Sequence, residues 1–124
     1  MDEDRQAFEQ VVQEEFDRLP DKFRYAIENV HIVVDGGDGG GRRRGGTRSG
    51  SALLGLYEGI PLTKRGADYG VYPVVPDRIT LFQKSITSTA GPDEEVRRLV
   101  RMVLIHEIGH YFGMSEAELR AAGY

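Results

Sequence analysis

Residues 106–110 read His-Glu-Ile-Gly-His, the H-E-x-x-H spacing. Two histidines four apart on a helix project about 40° from one another and stand one turn apart, so both imidazoles reach a single ion at about 2.0–2.1 Å. Glu107 projects about 100° from His106, close enough to touch a water on that ion without displacing it. The chemistry this predicts is hydrolysis. An ion held by two neutral imidazoles and a carboxylate keeps a fourth position for water and lowers its pKa toward neutrality; Glu107 would take the proton and pass it to the leaving group. The chain has no Cys, so thiolate zinc sites, cysteine nucleophiles and disulfide scaffolds are excluded and any metal must be held by His and carboxylates.

At 100° per residue, Val96, Leu99, Val100 and Val103 share an arc with His106, Glu107 and His110. Burying a carboxylate and two imidazoles there is costly unless they are paired or bind metal, which favours a site over a pair of hydrogen-bonded core histidines. A third ligand is needed, and after His110 only Glu116 and Glu118 are acidic. On a continuous helix Glu116 would lie about 15 Å along the axis from His106, so the helix must break, and Gly113 can adopt the left-handed turn that folds the chain back. Glu118 is suited to a helix cap, which leaves Glu116 as the better ligand; Asp35, Asp68, Asp77 and Asp93 stay open as more distant substitutes.

The elements that position these residues follow from periodicity. Apolar side chains at Ala7, Phe8, Val11, Val12, Phe16 and Leu19 predict an amphipathic helix over 2–19, stopped by Pro20, and a shorter helix follows over 21–29. Residues 30–35 read as a short, β-branched buried strand, 52–57 as a second strand and 78–83 as a third. The glycine-rich run 36–51, which carries Arg42, Arg43, Arg44 and Arg48, predicts a mobile loop; 61–76 is irregular and 84–91 a polar loop. Gly91-Pro92 before Asp93, Glu94 and Glu95 starts the active-site helix, expected over 92–112 with Gly113 as its stop. Ser115 then caps a last short helix, with Glu118 closing a capping box. The fold class is α+β: an N-terminal helix pair, a sheet of about three strands, the H-E-x-x-H helix and a short C-terminal helix, in one domain over 1–124.

The run from His106 through Glu116 resembles the H-E-x-x-H-x-x-G-x-x-(D/E) signature of zincin metallopeptidases. The stretches 54–63, 76–82 and 122–124 are similar to the minimal zincin-like metallopeptidase family of small bacterial proteins, and the likeness spans nearly the full length outside the Gly/Arg loop. The resemblance implies one zinc ion per chain, held by His106, His110 and Glu116, with Glu107 as general base, and a peptide or protein substrate. Two departures stand out: Asp is commoner than Glu at the third-ligand position, and no methionine turn follows the site as it does in metzincins. The alternative from another class is a non-catalytic interaction domain that keeps the metal as a staple.

Several weaker signals accompany this one. Tyr57, Tyr69, Tyr72, Arg65 and Arg78 are candidate oxyanion donors, and 78–83 is the expected sheet edge for an added peptide strand. The arginines of the loop have no interleaved aromatic to stack a base, and 41–47 lacks the Lys of a phosphate loop. Ser85, Thr87, Ser88 and Thr89 have no His near them in sequence, and His31 reads as structural. A formal net charge of −4 argues against nucleic acid as the partner. The acidic N-terminus has no signal-peptide pattern and no window is long and apolar enough to span a membrane, so a cytoplasmic location is expected.

Overall fold

The computed structural model describes residues 2–24, 30–40, 45–59 and 77–124. Within them the elements run α1 (Asp2–Asp17), α2 (Asp21–Arg24), β1 (Val30–Asp35), β2 (Thr47–Ser49), β3 (Ala52–Glu58), β4 (Asp77–Phe82), α3 (Gln83–Ala90), α4 (Asp93–Tyr111) and α5 (Glu116–Ala121). The four strands form one mixed sheet in the order β1-β4-β3-β2. β1 runs parallel to β4, while β3 is antiparallel to both β4 and β2.

The architecture is α+β, as the periodicity predicts. Helix α4 lies against the sheet and buries Val96, Leu99, Val100, Val103, Leu104 and Ile108 against Leu54, Ile79 and Leu81. Helix α1 packs on α4 with Phe8 and Val12, and Arg97 reaches back to Glu14 and Glu15 at 3.0 and 3.2 Å. Removal of this apolar surface from water is the main force holding the layers together. Among the described residues, no helix is long and apolar enough to cross a membrane.

Four expectations need correction. The strand over 78–83 is not an edge: β4 is paired on both sides, and Ile79, Thr80, Leu81 and Phe82 are all buried. The charge at its start marks a cross-strand pair instead, Arg78 Nη2 lying 2.9 Å from Glu58 Oε1 on the neighbouring strand. The stretch expected as a polar loop over 84–91 is helix α3. Its single large apolar residue, Ile86, is fully buried in the core, and that tertiary contact outweighs the weak helix propensity of the serines and threonines around it.

The Gly/Arg run is not all loop either, since Thr47–Ser49 pairs with β3 as strand β2 and Thr47 is buried. Strand β1, expected to be buried, is an edge among the described residues and alternates, with His31, Val33 and Asp35 exposed. Its apolar run is β-branched because one face meets the core, and Val33 is left on the other. Helix α2 is described only to Arg24; the rest of that expected helix, the loop arginines 42–44 and the irregular stretch 61–76 lie outside the described residues.

Candidate metal centre

Helix α4 begins where the sequence places its start, with Pro92 as the capping residue and Asp93, Glu94 and Glu95 in the first turn, against the positive end of the helix dipole. It ends in a Schellman turn: Gly113 N–H donates to His110 O and Met114 N–H to Gly109 O, both at 2.9 Å. Gly113 sits at φ 82°, a conformation that other residues adopt only under strain. Beyond it the Ser115 hydroxyl accepts the Glu118 N–H and Glu118 Oε1 accepts the Ser115 N–H, a complete capping box that starts α5. Leu119, fully buried, docks α5 over Gly109, where a Cβ would meet its Cδ2 at 2.6 Å. Together the turn, the cap and this contact return Glu116 to the two histidines.

The structure brings His106, His110 and Glu116 together. Glu116 Oε2 lies 2.8 Å from His106 Nδ1 and Oε1 lies 2.9 Å from His110 Nε2. Of the atoms in these contacts, His106 Nδ1 and Glu116 Oε1 are buried and without a hydrogen-bond partner. Unpaired buried polar atoms are costly, and a cation held between these side chains would satisfy both. Two imidazole nitrogens and a carboxylate are also the donor set of open zinc sites. The donors rest against one another: among the described residues, no three His, Asp or Glu side chains are already spaced around an ion.

Glu107 is fully buried between α4 and the sheet. Its Oε1 accepts the Tyr57 N–H at 2.6 Å and its Oε2 accepts the Thr47 hydroxyl at 2.5 Å, with His110 Nδ1 3.4 Å from Oε2. Beyond Gly55, β3 has no β2 partner among the described residues, so Glu107 takes a backbone donor that the ladder leaves over.

The chemistry of this centre matches the comparison with known families. The zincin-like metallopeptidase family matches residues 27–124, which include β1 through α5 and every residue of the site. The chain belongs to the zincin-like metallopeptidase family. The family implies a zinc cofactor and peptide or protein substrates in general. A conserved hypothetical protein from T. thermophilus has a similar fold, with a TM-score of 0.54 and 21% identity over 95% of this chain and 96% of that one. A search of curated protein sequences returns no match.

Other candidates in this zincin-like chain stand apart from the centre. Asp77 accepts the Tyr57 phenol at 2.9 Å, Asp35 accepts the Gly37 N–H at 2.7 Å, and Asp93 opens α4. Arg78 is engaged by Glu58, His31 is exposed on β1, and the hydroxyls of 85–89 lie on α3. Arg65, Asp68, Tyr69 and Tyr72 are outside the described residues. Reading the sequence missed Thr47, the Tyr57 backbone and Tyr124, whose main-chain oxygen lies 3.2 Å from His106 Nε2. Nothing local marks these three as site residues, because each meets the helix across 18 to 60 positions of chain.

Two predictions arise here. Gly113→Ala should lower stability by about 1–2 kcal/mol, the cost of a left-handed non-glycine residue, and weaken zinc binding by displacing Glu116; chemical denaturation and a zinc titration check both. The second concerns His110, whose pKa is raised above its ordinary 6.5, first by the hydrogen bond to Glu107, against the opposing effect of burial, and then by the charges of Glu107 and Glu116 and the contact with the Glu116 carboxylate. A raised folded-state pKa stabilises the metal-free chain fully below 6.5, and that contribution is lost as pH rises through the raised value. Melting temperatures in chelator should therefore fall with increasing pH across that window, and the slope should flatten in His110→Gln.

Proposed function

We propose that the chain is a zinc-dependent peptidase in which His106, His110 and Glu116 hold one zinc ion and Glu107 is the general base. The observation that carries this reading is the convergence of two imidazoles and one carboxylate with His106 Nδ1 and Glu116 Oε1 unpaired, beside a fully buried glutamate. When bound, zinc polarises the scissile carbonyl and acidifies the attacking water.

The protein's own groups do the rest. Glu107 has about four acceptor positions on its two oxygens, and Tyr57, Thr47 and His110 address three. The remaining one accepts the proton of a water and returns it to the leaving amine. The Tyr57 N–H and the Thr47 hydroxyl fix the carboxylate, so little reorientation accompanies proton transfer. An extended peptide adds at the β2 side of the sheet, where β3 continues past Gly55 next to Glu107.

The test is zinc stoichiometry of the purified chain followed by hydrolysis of a broad fluorogenic peptide library. One zinc per chain, with turnover abolished by chelator and restored by zinc, is the expected result. Full zinc loading with no turnover across the library would instead support a structural metal in an interaction domain.

A further inference from the structure

The metal centre lies toward one end of the sheet only. Glu107 meets β2 and β3, whereas the other end is β1, which pairs with β4 alone among the described residues. β1 reads Val-His-Ile-Val-Val-Asp, with no proline or lysine, a regular register against β4 throughout, and its one formal charge at the end. Natural sheets blunt an open edge with prolines, charges or bulges, because an unblunted edge is a template for another strand. Val33, 38% exposed, is the one large apolar side chain left exposed among the described residues, and it sits within this edge. The Val34 oxygen is taken by a side chain, accepting from Arg5 Nη2 of α1 at 2.6 Å. A carbonyl has two lone pairs, so one remains for an incoming N–H.

This edge is complementary to itself. A two-fold axis pairs antiparallel copies of one strand, and because outward-facing main-chain groups belong to alternate residues, the axis must pass through a residue. With the axis at Val33, Val33 meets its own copy, Ile32 meets Val34, and His31 meets Asp35. His31, Val33 and Asp35 share the exposed face of β1, while Ile32 and Val34 share the face turned to the core. Every pair is then matched, apolar with apolar and an imidazole N–H as donor to a carboxylate. Asp35 Oδ1 accepts the Gly37 N–H at 2.7 Å, which leaves Oδ2 for His31 of a second copy. An axis at Ile32 would set His31 opposite Val33, and an axis at Val34 would set Asp35 there, so the matched register is the one centred on Val33.

We infer that the β1 edge joins two copies of this chain into a symmetric dimer with one continuous sheet, Val33 lying on the axis and His31 hydrogen-bonded to Asp35 of the second copy. The β2 side of both sheets, where a peptide is proposed to add, stays open, and no residue of the metal centre takes part in the pairing.

The experiment is sedimentation velocity of the full chain from micromolar to millimolar concentration, on the wild type and on variants at exposed positions of β1. The wild type should move reversibly from monomer to dimer. His31→Asp, which sets carboxylates against each other on both sides of the axis, should weaken association roughly 10-fold. Val33→Lys, which brings two ammonium groups together at the axis, should remain monomeric. The chain has no Cys, so a single Val33→Cys reads the axis directly. Paired Cβ atoms across two strands lie about 4.5–5.5 Å apart, close to disulfide reach, and mild oxidation should give a covalent dimer faster than in Gln10→Cys, at an exposed position of α1. A wild type that stays monomeric over the whole range would overturn the proposal. So would a dimer that both His31→Asp and Val33→Lys leave intact, which would place the contact on another surface, or equal rates of crosslinking in the two cysteine variants.

Discussion

Glu107→Gln is expected to fold, to bind zinc and to hydrolyse peptide about 10²–10⁴-fold more slowly, the range a positioned general base contributes. The amide is nearly the same size as the carboxylate. Its oxygen can accept the Tyr57 N–H, and its NH₂ can donate to the Thr47 hydroxyl, which is able to act as an acceptor. What it lacks is the capacity to take a proton. Glu107→Ala separates the two roles of this residue. It removes the acceptor of the buried Thr47 hydroxyl, at about 1–3 kcal/mol for a buried group left unsatisfied, and the carboxylate that the Tyr57 N–H addresses. The alanine variant should therefore lose stability as well as turnover, whereas the glutamine variant should lose turnover with a melting temperature close to wild type. Equal turnover in Glu107→Gln and wild type would remove Glu107 from the chemistry.

His110→Ala is expected to abolish stoichiometric zinc binding, an effect beyond the roughly 10–100-fold that loss of an outer-shell partner costs. In the proposed centre it supplies one of three donors, and removing it would leave His106 and Glu116 as two ligands, which is fewer than open zinc sites use. Glu116→Ala should weaken binding and keep the fold, since Glu116 is partly exposed and the cap of α5 is made by Ser115 and Glu118. Isothermal titration with zinc distinguishes the variants. Binding in His110→Ala as tight as in wild type would place the metal elsewhere or nowhere.

Much of the centre was legible because its donors come from a single short stretch. The spacing of His106 and His110 is a property of any α-helix, and the helix announces itself through Pro92, three acids and a buried apolar stripe. Gly113, Ser115 and Glu118 mark the break and the restart that bring Glu116 back, each by a local rule that needs no knowledge of the rest of the fold. Helix α3 was hidden for the opposite reason. Its serines and threonines favour loop, and one buried side chain, Ile86, decides against them through contacts made elsewhere. The edge position assigned to 78–83 failed because strand order is not a local property: Arg78 reads as an edge charge until Glu58 is found beside it.

The sequence alone therefore determined which residues are candidates for metal chemistry, the helix that spaces them, the turn that brings Glu116 back to them and the α+β class, since all of these depend on periodicity and on neighbours within one or two turns. Only the tertiary structure decided what stands behind those residues: Thr47 and the Tyr57 N–H on Glu107, the Tyr124 oxygen on His106, and a sheet in which β4 is central. The physical reason is that such contacts join groups far apart along the chain, and their partners are backbone atoms or a small hydroxyl that every sequence offers in abundance. What selects among them is the packing of α4 on the sheet and of α2 and α5 at its end, which no spacing rule contains.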